Sequence, residues 1–125
     1  MVGHILVVDD DLPLQRFIRE VLESEGYRTE AASDGLEALE RIAAHRPLLV
    51  VLDLRMPRLN GSGLVTRLQE QHDDLPILVI SAYREVHDLA RQMNIAESLL
   101  KPFELDDLLQ AVARLMHREG DNTNP

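Results

Sequence analysis

Asp9, Asp10 and Asp11 stand in a row directly after the apolar run ILVV, and Asp53 follows LLVVL. Ser81 follows ILVI, and Lys101 sits between SLL and Pro102. Polar residues at the ends of hydrophobic runs have a physical reading. In an open parallel sheet, ligands bind beyond the carboxyl ends of the strands, near the point where the winding reverses. If these runs are strands of one sheet, separate segments deliver carboxylates, a hydroxyl and an ammonium to one rim. Carboxylates a few ångströms apart repel, each pair by on the order of 1 to 4 kcal/mol at effective dielectrics between those of water and a protein surface. A cation must offset that repulsion. Oxygen-only ligation with open positions suits Mg²⁺, which keeps waters and bridges to phosphate oxygens. Lys101 adds a second positive charge. In such surroundings a carboxylate such as Asp53 can attack phosphorus, because phosphoryl transfer needs mostly positioning and charge neutralisation. The product would be an aspartyl phosphate.

The elements that must hold these residues are legible in the hydrophobic pattern. Five short Val/Ile/Leu-rich runs recur at nearly regular intervals, separated by amphipathic stretches of period near 3.6, as in a parallel sheet covered on both faces. The spacing predicts strands at His4 to Val8, Tyr27 to Ala31, Leu48 to Leu52, Ile77 to Ile80 and near Ser98 to Leu100. The second, more polar, is expected at an edge; the third, wholly apolar, in the centre. The first helix starts around Leu12 and Pro13, with Leu14, Phe17, Ile18, Val21 and Leu22 as its buried stripe and Gly26 as its stop. Ser33 or Asp34 caps a second helix, whose apolar face includes Leu36, Leu39 and Ile42. Asp53 to Ser62 reads as loop, and a short third helix carries Leu64, Val65 and Leu68. Pro76 breaks the chain before the fourth strand. Glu85 to Met93 offers only the thin stripe Val86, Leu89 and Ala90, whereas Leu105, Leu108, Leu109, Val112, Leu115 and Met116 share one face of a last helix. This is a doubly wound, five-stranded α/β domain over residues 1–119. Residues 120–125 form a polar tail or the start of a linker.

Bulk properties narrow the function classes. The 125 residues suffice for one core and are too few for two. A net charge of −9 argues against direct nucleic-acid binding, which draws its affinity from clustered Lys and Arg. There is no cysteine for disulfides or thiolate metal ligation. No apolar run approaches the ~20 residues of a membrane span, and the start carries no basic leader. A cytoplasmic protein without membrane contact is expected.

The sequence resembles the receiver domain of bacterial two-component response regulators over residues 4–118. The marks are ILVVDDD, VLDLRMP followed by Gly61, ISA at the end of the fourth strand, and LKPF, in the family's order and near its spacings. The resemblance implies a flavodoxin-like (βα)5 fold with strand order 2-1-3-4-5. It implies Asp53 as phosphoacceptor, with Asp10 and Asp53 binding Mg²⁺ directly, Asp9 through a metal water, and the backbone carbonyl of Arg55 as a further ligand. Ser81 matches the switch hydroxyl, Lys101 the lysine that pairs with the phosphoryl group, and Pro102 would follow a cis peptide bond. The implied partner is a sensor histidine kinase or histidine phosphotransfer protein. The readout surface would involve the fourth helix, fifth strand and fifth helix, through which a homodimer would form. One position departs from the family pattern. Three residues before the lysine the family carries an aromatic ring, and here stands Ser98. Tyr83 is the candidate substitute ring, and with Arg55 it would crowd water attacking the acyl phosphate. The domain would be no enzyme beyond catalysing its own phosphorylation and dephosphorylation.

Blander readings compete residue by residue. An acid after a strand is often a helix cap, and Asp11, outside the motif, is read as one. His4, His45, His72, His87 and His117 show no metal-ligand spacing and read as scattered surface residues. Glu85 and Asp88 read as solvated helix face. Two other functions fit parts of the sequence. A phosphohydrolase of haloacid dehalogenase type would use Asp9 as nucleophile and Asp11 as general acid, leaving VLDLRMP without a role. A phosphorylation-independent pseudo-receiver would keep the shape alone, although no residue needed for the chemistry is missing.

Overall fold

A computed structural model of the chain describes residues 3–54, 61–71 and 74–123. Strands β1 (His4–Val8), β2 (Arg28–Ala32), β3 (Leu49–Asp53), β4 (Ile77–Ser81) and β5 (Glu97–Leu100) alternate with helices α1 (Leu12–Ser24), α2 (Gly35–Ala44), α3 (Gly61–Gln71), α4 (Val86–Gln92) and α5 (Leu105–Thr123). All neighbouring strands run parallel, in the order β2-β1-β3-β4-β5. The winding therefore reverses between β1 and β3, and a crevice at their carboxyl ends follows from the topology.

Successive side chains on a strand point to opposite faces, and the two cores divide accordingly. Leu6, Val8, Val50, Leu52 and Val79 pack with residues of α2, α3 and α4, including Ala38, Ile42, Leu64, Leu68, Val86 and Ala90. Ile5, Val7, Leu49, Val51, Leu78 and Ile80 pack with Ile18 and Leu22 of α1 and with Leu108, Val112 and Leu115 of α5. Each fully buried Val, Leu or Ile contributes about 1.5–3 kcal/mol relative to exposure. That burial on both faces explains why β3 is apolar up to its terminal Asp53 and β2, at the edge, is not.

The helix signals in the sequence have local causes. Asp11 caps α1, its Oδ1 accepting the Leu14 N–H at 3.1 Å, and Pro lies in the first turn. Asp34 caps α2 by accepting the Glu37 N–H at 2.9 Å, while Glu37 Oε1 accepts the Ser33 N–H at 2.7 Å. This reciprocal pair satisfies two otherwise orphaned donors. Gly26, with φ +93°, carries the turn into β2 through a region that L side chains avoid. The peptide bond between Lys101 and Pro102 is cis.

Three expectations about the stripes need correction. Phe17, Leu36 and Leu105 are 44%, 44% and 43% exposed. Phe17 and Leu36 lie at the margins of their apolar stripes, and Leu105 is the first residue of its helix. Buried places on α1 and α2 go instead to Gln15 and Ala38. Strands β2 and β3 each begin one residue later than the apolar pattern suggests, so Ala32 and Asp53 belong to strands. The last helix continues through Gly120 to Thr123.

Candidate functional site

The carboxyl ends of the strands bring the chemical residues together. Asp9 leaves β1, its N–H bonded to the Ala32 carbonyl at 3.1 Å. Asp53 closes β3, and the next residue, Leu54, donates its N–H to the Ile80 carbonyl at 3.1 Å. Ser81 closes β4, and its carbonyl accepts the Lys101 N–H at 2.8 Å. These backbone links, together with the pairing of β1 to β3, fix the spacing of Asp9, Asp53, Ser81 and Lys101 before any side chain is considered.

One carboxylate oxygen from each of Asp9, Asp10 and Asp53 lies within 4.8 Å of the others. Asp9 and Asp53 are buried and Asp10 is exposed. Lys101, from the far side of the pocket, donates from Nζ to Asp53 Oδ2 at 2.8 Å. The Asp9 carboxyl is pushed up to about 7, chiefly by burial and further by the negative charge of Asp53, against the Asp11 N–H that its Oδ1 accepts at 2.9 Å. Burial works against the charge of Lys101. The hydrogen bond to Asp53 and the charges of Asp53, Asp9 and Asp11 outweigh it, so its ammonium is held above the usual lysine range. Such a pocket has an excess of negative charge. Its all-oxygen donors fit a hard divalent cation such as Mg²⁺, and Asp9, Asp10 and Asp53 are the residues that would hold it. Arg55, whose backbone carbonyl was expected as a further ligand, lies outside the described residues.

The other expected residues fall around this centre. Ser81 is fully buried, and its Oγ accepts the Tyr83 N–H at 3.0 Å, which leaves its own hydrogen to donate. The Tyr83 side chain is exposed at the rim. Ser98 stands on β5, its Oγ 2.6 Å from His87 Nδ1 of α4. Asp11, bound to Leu14, is occupied as a cap. A hydrolase that needed Asp11 as its acid would find it so engaged.

Three features escaped the sequence reading. Gln15 is a buried amide on α1 whose Nε2 reaches the carbonyls of Asp9 and Ala32, each at 3.0 Å. Its spacing to Ile18 and Leu22 places it on the buried stripe, which was the signal available. His4 and His45 approach opposite oxygens of Glu30, at 3.6 and 3.7 Å, although they are far apart in sequence. The link from His87 to Ser98 had no signal in the sequence.

Comparison with known proteins gives a single answer. The family model for the response regulator receiver domain matches residues 5–113. The response regulator MprA of Mycobacterium sp. (strain KMS) is 42% identical over 124 residues, covering 98% of this chain and 54% of that protein. MprA of Mycobacterium ulcerans (strain Agy99) is 43% identical over 117 residues, covering 92% and 50%. The chain thus spans about half the length of the curated relatives it matches. Among solved structures, the receiver domain of NtrX from Brucella abortus superposes with a TM-score of 0.86 at 32% identity, covering 90% of this chain and 98% of that one. The response regulator TrrA from Thermotoga maritima, solved in complex with Mg(2+)-BeF, gives 0.83 at 31% identity, covering 91% and 99%. None of these comparisons supports the hydrolase alternative. The reversal point, the acids on either side of it, the opposed lysine and these relatives converge: the chain belongs to the response regulator receiver domains of two-component systems.

Proposed function

We propose that this domain accepts a phosphoryl group on Asp53, with Mg²⁺ held by Asp9, Asp10 and Asp53, and changes shape at a second surface in response. The observation that carries the reading is the 2.8 Å contact between Lys101 Nζ and Asp53 Oδ2 beside two more carboxylates. A buried carboxylate with an ammonium on one side and a cation-binding acid pair on the other is equipped to be a nucleophile at phosphorus. When bound, the cation would supply charge neutralisation for the phosphoryl oxygens. Asp53 supplies the attacking oxygen: a P–O bond forms as the P–N bond of a partner's phosphohistidine breaks, and the departing imidazole takes up a proton. Lys101 then exchanges its contact with Asp53 for one with a phosphoryl oxygen. Ser81 retains an O–H hydrogen to donate to the same group. The carbonyl of Arg55 is assigned as a metal ligand by family resemblance alone.

The donor would be a sensor histidine kinase or a histidine phosphotransfer protein in the cytoplasm, and small acyl phosphates should substitute for it. Turnover is confined to the domain's own phosphorylation and dephosphorylation. The readout is assigned to α4, β5 and α5, with Ser81, Tyr83 and Ser98 as switch residues. Residues 1–119 would form this unit, with α5 running past it to Thr123. Among the described residues, no helix is long and apolar enough to cross a membrane. Incubation with acetyl phosphate and Mg²⁺ should add the mass of one phosphoryl group, and chelation should prevent it. Asp53→Asn should remain unlabelled; label retained in that variant, or mapped to Asp9, would reject the assignment.

A further inference from the structure

Among the described residues, Gln15 is the buried polar side chain to which the phosphoryl chemistry gives no task. It is 8% exposed, in line with Ile18 and Leu22 on the buried face of α1. An amide nitrogen carries two hydrogens, and Gln15 commits its nitrogen to two carbonyls: that of Asp9 at 3.0 Å and that of Ala32 at 3.0 Å. The Ala32 carbonyl also accepts the Asp9 N–H at 3.1 Å. One amide thus joins α1, the end of edge strand β2, and the residue that leaves β1 toward the acids. Asp9 is held at three points. Its N–H rests on Ala32, its carbonyl on Gln15, and its carboxylate on the Asp11 N–H.

The restraint matters because the acids oppose the geometry they need. The carboxylates of Asp9, Asp10 and Asp53 converge within 4.8 Å, and like charges at that distance push the turn that carries two of them away from the third. We propose that Gln15 is a positioning residue for the metal-binding acids: by holding the Asp9 carbonyl, it fixes the turn between β1 and α1 so that Asp9 and Asp10 stay beside Asp53. The inference rests on the reading of this pocket as a Mg²⁺-dependent phosphoacceptor site. Groups that orient metal ligands without touching the metal are commonly worth about 10- to 100-fold in affinity.

The test uses the full chain with Gln15→Met, which keeps the side-chain volume and removes both donors, and Gln15→Asn, one methylene shorter. Mg²⁺ is titrated alone, without phosphodonor, and followed by backbone amide shifts. For both variants the Mg²⁺ dissociation constant should rise about 10-fold or more. The half-saturating Mg²⁺ for labelling by acetyl phosphate should rise by the same factor, while the rate at saturating Mg²⁺ stays within about twofold of wild type. A merely structural role would lower the urea midpoint and leave Mg²⁺ affinity unchanged, and that result overturns the proposal. So does an unchanged half-saturation with a slower saturated rate. If Gln15→Met fails to fold, Gln15→Asn decides. If wild type takes no label, or Asp53→Asn still takes it, the phosphoacceptor reading falls, while the Mg²⁺ titration still decides the role of Gln15.

Discussion

At the scale of single residues, the burial of Asp9 beside Asp53 makes a prediction about pH. The Asp9 carboxyl titrates near 7 in the folded protein against an ordinary value of 3.8, mainly because burial penalises its charged form. The folded state therefore binds a proton that the unfolded chain releases. Stability from this group is fully present below the ordinary value and is lost as pH rises through about 7. Removing the charge should help where the carboxylate is ionised. We expect Asp9→Asn to stabilise the metal-free protein by about 1–2 kcal/mol at roughly pH 8, and to give little or no gain near pH 4. Urea denaturation at the two pH values checks this, and an equal effect at both would contradict the cause given. Saturating Mg²⁺ should reverse the order at the higher pH, because the cation stabilises only the protein that binds it well.

At the scale of elements, position on a helix decides what a leucine is worth. Leu105 and Leu108 lie three residues apart on α5, yet Leu108 is fully buried and Leu105 is 43% exposed. Leu108→Ala should cost about 2–5 kcal/mol, as cavity-forming changes in cores do. Leu105→Ala should stay within about 1 kcal/mol. Equal losses in thermal melts would show the burial pattern to be wrong. The coupling of α4 to β5 makes a different kind of prediction. Ser98 holds His87 at 2.6 Å on a solvent-facing surface. Loss of that bond in Ser98→Ala should change global stability by about 1 kcal/mol or less. Amide exchange along α4 should nevertheless accelerate, because the bond ties this short helix to β5. Unchanged exchange would remove the link from any account of switching.

At the scale of the whole molecule, charge bears on association. The chain carries −9 and spans about half the length of its MprA relatives. The face formed by α4, β5 and α5 is charged in both senses. Arg114 spans to Glu97 through two hydrogen bonds of 3.0 and 2.8 Å, and Arg91 pairs with Asp88. If copies of the domain meet there, the contact is electrostatic and screened by salt within about a 10 Å Debye length at 0.1 M. Sedimentation of the beryllofluoride-loaded chain should therefore show self-association that weakens as salt rises. A monomer under all these conditions would remove the homodimer.

Much of this protein is legible without coordinates, since hydrophobic periodicity is local. Alternation and the 3.6-residue stripe depend only on which face of each element meets a core. Five strands, five helices and the polar residues at the strand ends follow from that, and so does Asp11 as a cap. The family motifs supply the strand order and the roles expected of Asp53, Ser81 and Lys101. Contacts between distant segments depend on packing angles that no local pattern encodes. Only the folded chain brings Lys101 onto Asp53 across 48 residues, seats His87 against Ser98, and gathers His4 and His45 around Glu30. It alone leaves Phe17 outside while Gln15 goes in, where the amide nitrogen reaches the carbonyls of Asp9 and Ala32.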